Sequence, residues 1–256
     1  MTAVSVDLNA DVGERYEGWQ PGDDEAILSV VTTAHIACGF HSGDPSVMAE
    51  TVRAAIGLGV AIGAHPSYPD REGFGRREME RSPEQIRDDV LYQVAALDGI
   101  ARAEGARVGS VKAHGALYNR MAVDRSCAAA VARAVRDFDD QLWLVVPAST
   151  LAVQVVAEAG LRVVQEGFCD RGYERDGTLL GRGSEASVIT DADQACGQAV
   201  RMVTEHRVAI ADGSTVALAP DTLCVHGDTP GAAELARAVR AALVGGGVTV
   251  AAFSSA

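Results

Sequence analysis

Lysine is all but missing from this chain. Lys112 stands alone, and arginine supplies the rest of the 22 basic residues. A drift toward arginine is a compositional habit that excludes nothing, but a chain that dispenses with lysine elsewhere makes the survivor a position to watch. Basic residues as a class are also short, 22 against 35 acidic, for a formal charge of −13 and a pI near 4.8. Such a surface repels phosphate backbones and anionic headgroups, so neither nucleic acid nor a membrane surface is an expected partner. The five cysteines, Cys38, Cys127, Cys169, Cys196 and Cys224, are odd in number and far apart, with no C-x-x-C. That pattern indicates neither a disulfide framework nor a zinc ribbon. The start has no basic run before Arg15, which argues against a secretory signal. The longest uncharged stretches, 142–157 and 241–256, are too short or too rich in Gly and Ser to span a bilayer. Together these features read as a soluble, reduced, cytoplasmic chain. No G-x-G-x-x-G follows the first strand and no G-x-x-x-x-G-K-[ST] occurs, which disfavours a Rossmann domain and a P-loop.

What is present is an ordinary globular composition: 256 residues, 48% hydrophobic and 22% charged, enough for a substantial core. Short apolar runs alternate with helix-like runs, the rhythm of repeated βα units. The pattern predicts strands over Val4 to Asp11, Ala34 to Cys38, Ala61 to Ser67, Ser110 to His114, Leu142 to Pro147, Arg162 to Cys169 and Leu223 to His226. It predicts helices over Asp23 to Val31, Pro45 to Gly59, Pro83 to Glu104, Arg125 to Phe138, Thr150 to Ala159, Ala192 to His206 and Gly231 to Val244. Asp44-Pro45 and Ser82-Pro83 set an N-cap beside a first-turn proline, and Gly59, Gly105 and Gly160 sit where C-caps belong. Seven such units fit an α/β fold, a closed parallel barrel in a single domain over residues 1–256. Around Asp212-Gly213, Val208 to Leu218 reads as a β-hairpin added before the last unit.

Residues two apart on a strand share a face. Asp7, Asn9 and Asp11 therefore lie together in D-L-N-A-D-V-G-E, Lys112 and His114 in K-A-H-G-A-L-Y-N, Glu166 and Asp170 in E-G-F-C-D, and His226 and Asp228 in V-H-G-D. His65 ends the third strand, and the second leads through His35 to His41 and Asp44. Five of the six histidines and the one lysine thus fall near strand C-termini, where a parallel barrel gathers its active site. Asp7 and Asp44 are as well read as caps of loop backbone, and His35, in an apolar run, as a structural histidine. Lys112 and Glu166 are different, because burying either charge in a strand costs several kcal/mol, about 3–5, unless a partner meets it. The loop holding Arg71, Arg76 and Arg77 fits an anion clamp, a lid or a partner surface equally, and a second glycine-punctuated loop runs from Arg171 to Arg182. These residues describe an acidic enzyme with a pocket suited to hydrolysis at a small anionic substrate.

The runs D-L-N-A-D-V-G-E, H-I-A-C-G-F-H-S-G-D, G-A-H-P-S-Y-P-D-R-E-G-F-G-R-R, K-A-H-G-A-L-Y-N, E-G-F-C-D-R-G-Y and V-H-G-D resemble, in order, the motifs of the LamB/YcsF family, the A subunits of prokaryotic 5-oxoprolinases. The resemblance departs at Ala113, where a proline is expected, and over 181–186. It implies a (β/α)7 TIM-like barrel of the glycoside hydrolase/deacetylase type. It also implies ATP-dependent opening of 5-oxo-L-proline to L-glutamate together with 5-oxoprolinase subunits B and C, with ATP and magnesium as the implied cofactors. On that footing Lys112 and Arg71 neutralise substrate charge, Asp11 or Glu166 activates water, and His65 or His114 protonates the departing nitrogen. Asn9, His41, Tyr118, Asp170, Arg171 and His226 join Arg71 in contacting substrate. A rival expectation is a metal-dependent deacetylase or amidohydrolase without ATP, with Asp11, His41 and His65 as the metal set. A third is a subunit that only presents substrate to its partners.

Overall fold

The computed structural model describes residues 4–16, 22–181, 183–225 and 231–253. The chain runs β1 (Ser5–Val12), α1 (Asp24–Leu28), β2 (Thr33–Ala37), α2 (Pro45–Leu58), β3 (Ala61–His65), α3 (Pro83–Ala103), β4 (Ser110–Lys112), α4 (Gly115–Met121) and α5 (Arg125–Phe138). It continues through β5 (Trp143–Pro147), α6 (Leu151–Glu158), β6 (Arg162–Phe168), a 3-10 turn at Glu185–Ser187, α7 (Ala192–Glu205), β7 (Arg207–Ala209), β8 (Thr215–Ala217), β9 (Thr222–Cys224), α8 (Ala232–Gly245) and β10 (Thr249–Val250).

Strands β1 to β6 pair in parallel in chain order, β6 pairs with β9, and β9 returns to β1, so seven strands close a barrel. Strand β10 adds to the outer start of β1 through Ser5 and Val6. The expected hairpin is present as β7–β8, antiparallel and outside the barrel wall.

Strand β1 shows how sequence makes the wall. Val6, Leu8, Ala10 and Val12 belong to the apolar core that packs with the helices. Asp7, Asn9 and Asp11 fall on the other face, Asp7 bonding to the neighbouring β2 and β9 and the other two reaching Glu166 and Lys112 across the barrel. The caps form as the sequence requires. The Asp44 carboxylate accepts from the amides of Ser46 (2.8 Å) and Val47 (2.9 Å), and Ser82 with Gln85 makes a reciprocal capping box. Gly59 closes α2 in the left-handed region at φ +68°.

Three expectations need correction. Helix α4 occupies a stretch for which the periodicity predicts no helix, because Gly115 turns the chain straight from β4 into a short helix at φ +57°. As a result β4 stops at Lys112, and His114 is the residue before α4 rather than a strand partner of Lys112. Helix α1 is also shorter than predicted, ending at Leu28. His226, Asp228 and Arg182 lie outside the described residues. No helix among the described residues is long and apolar enough to cross a membrane.

Candidate active site

Polar side chains fill the barrel axis in layers. At the floor, the buried Asp7 carboxylate accepts from Thr32 (2.7 Å), Thr33 (2.6 Å) and Thr222. Burial pushes its pKa up despite those hydroxyls. Above it, Asn9 Oδ1 meets His35 Nδ1 at 3.1 Å, and His35 Nε2 lies 3.3 Å from Ser110 Oγ. The register explains how. His35 and Ser110 both pair with Gly63, and a Cβ there would run into the His35 ring. Asp7 and His35 are thus held by their neighbours in the barrel, and neither lines the cavity above them.

The next layer carries the charge. Lys112 is 2% exposed; its Nζ is 2.8 Å from Asp11 Oδ1, 2.9 Å from Glu166 Oε1 and 3.2 Å from Asn9 Oδ1. Burial would lower the ammonium's pKa, but the carboxylates outweigh it and hold it well above its ordinary value. Glu166 is fully engaged: Asn9 Nδ2 donates to Oε1 (2.9 Å) and Tyr118 Oη to Oε2 (2.6 Å). Asp11 is less so. Its Oδ1 contacts Lys112 as an ion pair but accepts no aligned hydrogen bond, and its side chain keeps 12% exposure. Burial raises the Asp11 carboxyl, yet His65 and Lys112 overcome this and keep it well below the carboxylate range.

At the rim sits a cluster with a member that sequence reasoning missed, Glu14. Gly13, at φ +69°, turns the chain at the end of β1 so that Glu14 reaches back over the barrel. Its Oε1 is 3.1 Å from His41 Nε2, 3.2 Å from His114 Nδ1 and 3.9 Å from His65 Nε2. The only signal for Glu14 was its place three residues after Asp11 in D-V-G-E. Burial would raise this carboxyl, but bonds to His114 and His41 keep it far below its ordinary value. Ligand atoms of Glu14, His41, His65 and His114 lie within 4.8 Å of one another, a set among the described residues that can hold a metal. Of the metal set expected from the sequence, His41 and His65 join this group, while Asp11 stands beside it with Oδ2 3.2 Å from His65 Nε2.

These layers open into a cavity of about 310 Å³ walled by Asp11, Glu14, His65, Lys112, His114 and Tyr118. The volume is at the lower end for small-molecule sites. Arg76 and Arg171 also line it. Arg71, expected to clamp substrate, is not in the cavity wall: its guanidinium donates to the Gly39 and Gly43 carbonyls (2.6 and 2.8 Å) and covers the Tyr16 ring. Arg77 is paired with Asp70. Arg171 braces the second loop by donating to Ser187 O and Leu180 O, both at 2.7 Å. Asp170 is buried beyond the end of β6 and is not part of the cavity wall.

The sequence profile of the LamB/YcsF family matches residues 6–256. A Methylococcus capsulatus protein named as the A subunit of 5-oxoprolinase is 52% identical over 251 residues, 98% of this chain and 96% of its own. The crystal structure of a lactam utilization protein from Thermus thermophilus superposes with a TM-score of 0.92 at 50% identity, covering 97% of this chain and all of that one. A putative cellobiose-phosphate cleavage protein from Enterococcus faecalis, at 15% identity and a TM-score of 0.59 over 99% of both chains, shares the fold.

Proposed function

The chain belongs to the LamB/YcsF family, and from that premise we propose that it is the A subunit of a 5-oxoprolinase. In this reading it opens 5-oxo-L-proline to L-glutamate in an ATP-dependent reaction, together with partner subunits B and C, in the cytoplasm. The names of full-length relatives at about half identity support the substrate class. The observation that carries the chemistry is the buried Lys112 between Asp11 and Glu166 at the base of a small cavity.

A lactam resists water because amide resonance lowers its electrophilicity. Transfer of the γ-phosphoryl group of ATP to the lactam oxygen forms an O–P bond, breaks the β–γ bond and removes that resonance. Water then adds at the ring carbonyl carbon. The C–N bond breaks as the nitrogen takes a proton, and a second water cleaves the resulting acyl phosphate to glutamate and phosphate. Lys112 stabilises negative charge developing on oxygen in a water-poor site. Asp11 accepts the water proton, since it lines the cavity and its Oδ1 accepts no aligned hydrogen bond, whereas Glu166 lies behind that wall with Asn9 and Tyr118 donating to its two oxygens. His114 or His65 supplies the proton to nitrogen, and Arg76 takes over the anion-binding role expected of Arg71. With no P-loop in the sequence, this reading assigns most nucleotide and magnesium contacts to the partner subunits.

Reconstitution tests it. Glutamate release should require ATP and all three subunits, each omitted in turn. The Glu14 and histidine cluster supports a second reading, a metal-dependent amidohydrolase or deacetylase. Amidase activity of this chain alone, indifferent to ATP, would establish that one instead.

A further inference from the structure

The rim cluster holds a conflict that its own hydrogen bonds create. His65 Nδ1 lies 2.8 Å from the Lys112 carbonyl oxygen, and His114 Nε2 lies 2.8 Å from the Phe74 carbonyl oxygen. A carbonyl only accepts, so each of these nitrogens carries the ring proton. In the neutral rings the opposite nitrogens, His65 Nε2 and His114 Nδ1, are then bare lone pairs, and they face each other at 3.0 Å. Glu14 Oε1, a third acceptor, stands 3.2 Å from one and 3.9 Å from the other. Three buried acceptors converging on one point demand an electropositive centre there. A single proton bridges one pair and leaves the third acceptor unmet, whereas one cation meets all of them.

The fourth donor completes the set. His41 Nε2 is 3.1 Å from Glu14 Oε1, and its other nitrogen, Nδ1, is buried with no hydrogen-bond partner among the described residues, so no hydrogen bond pins its tautomer. The separations of 3.0, 3.1, 3.2 and 3.9 Å straddle the edge of about 3.3 Å expected for a tetrahedron with metal–ligand bonds near 2.0 Å. The backbone carbonyls behind His65 and His114 are the outer partners that orient metal-bound imidazoles. Charge agrees as well. Lys112 offsets only one of the two negative charges of Asp11 and Glu166, and Glu14 has among the described residues only imidazoles for partners.

We propose that Glu14, His41, His65 and His114 bind one divalent cation of the Zn²⁺ class. Three imidazole nitrogens and one carboxylate oxygen suit Zn²⁺ or Co²⁺ rather than Mg²⁺ or Ca²⁺, which take oxygen ligands. Glu14, His65 and His114 also line the cavity, so the ion faces the same space as Lys112. The inference does not rest on the lactam reading: metal binding is read without substrate and stands or falls apart from turnover, and an ion held by His65 and His114 would take both out of the proton-donor role given them there.

The experiment uses the full chain, untagged, stripped with a chelator and titrated with ZnCl₂ and CoCl₂. One equivalent of each should bind, with Co²⁺ giving the visible absorption of a four-coordinate site, while MgCl₂ competes weakly. Glu14→Gln and His114→Gln, checked for folding by circular dichroism, should each weaken binding by about a hundredfold or more, at least the loss seen when outer-sphere partners of a metal site are removed. Where a variant does not fold, ¹¹³Cd NMR of the ¹⁵N-histidine-labelled wild type reads the ligands directly, with coupling to three imidazoles expected. Absence of stoichiometric Zn²⁺ and Co²⁺ binding by folded protein overturns the site. So do folded variants that bind like the wild type, or a cadmium signal without imidazole coupling.

Discussion

His41 and His114 stack face to face, with ring centroids 3.8 Å apart and planes 4° from parallel. His65 meets both edge-on, and so does Phe74, with ring centroids 5.4 and 5.2 Å from those of His41 and His114. Three imidazoles, from the end of β3 and from the segments after β2 and β4, are thereby locked before any ligand arrives. Phe74 takes part at the cost of a left-handed backbone, φ +54°, which holds its carbonyl against His114.

Replacing Lys112 by Met should damage both stability and activity. It leaves Asp11 and Glu166 facing each other without their cation in a buried site. Breaking one side of a buried ion pair costs about 3–5 kcal/mol, to be read from urea unfolding. Glutamate release by the reconstituted enzyme should fall about a hundredfold or more. A stable variant with full turnover would remove Lys112 from the proposal.

Tyr118→Phe probes Glu166 more gently. Glu166 Oε2 loses its donor at 2.6 Å, an unmet buried acceptor worth about 1–3 kcal/mol in denaturant unfolding. Unchanged stability would mean that water replaces the hydroxyl.

Two glycine substitutions should move stability in opposite directions. At Gly63 a methyl group would run into the His35 ring and stand 2.6 Å from Ser110 Oγ, so Gly63→Ala should destabilise by about 1–3 kcal/mol or more. At Gly57, on the exposed side of α2, nothing lies within 4 Å, and Gly57→Ala should stabilise by about 0.5–1 kcal/mol. Melting temperatures of the two variants check the pair, and a shared sign would contradict the close approach at Gly63.

The loop from Asp70 to Arg77 should loosen in acid. Hydrogen bonds from the Arg77 side chain, with help from the Gly73 and Arg77 amides, hold the Asp70 carboxyl below its ordinary 3.8. A carboxyl whose folded value is depressed stabilises the fold fully above the unfolded value, and that contribution disappears as pH falls through the folded one. Hydrogen exchange of this loop should therefore rise below about pH 3.8, and Asp70→Asn should abolish the dependence. A pH-independent wild-type loop would refute the pairing.

Much of this was legible from one dimension. Periodicity located every barrel strand to within a few residues, because a two-residue alternation and proline-flanked caps are local properties of the chain. The unusual cost of a charged side chain inside a strand singled out Lys112 and Glu166. Sequence shows the Arg71 guanidinium but not the two carbonyls that engage it outside the cavity wall. Glu14 was overlooked because its role depends on the turn at Gly13 and on partners 27 and more residues away.

The amino-acid order by itself determined the βα rhythm, the inward polar face of β1 and the presence of a lone buried ammonium. Those follow from side-chain alternation and from solvation costs that act residue by residue. Only barrel closure decided which groups meet. Joining β9 to β1 brings Thr222 between Asp7 and Glu166, and the strand ends and loops above it aim three imidazoles and a carboxylate at one point. Convergence of that kind is set by register and curvature summed over the whole sheet, which no local stretch of sequence contains.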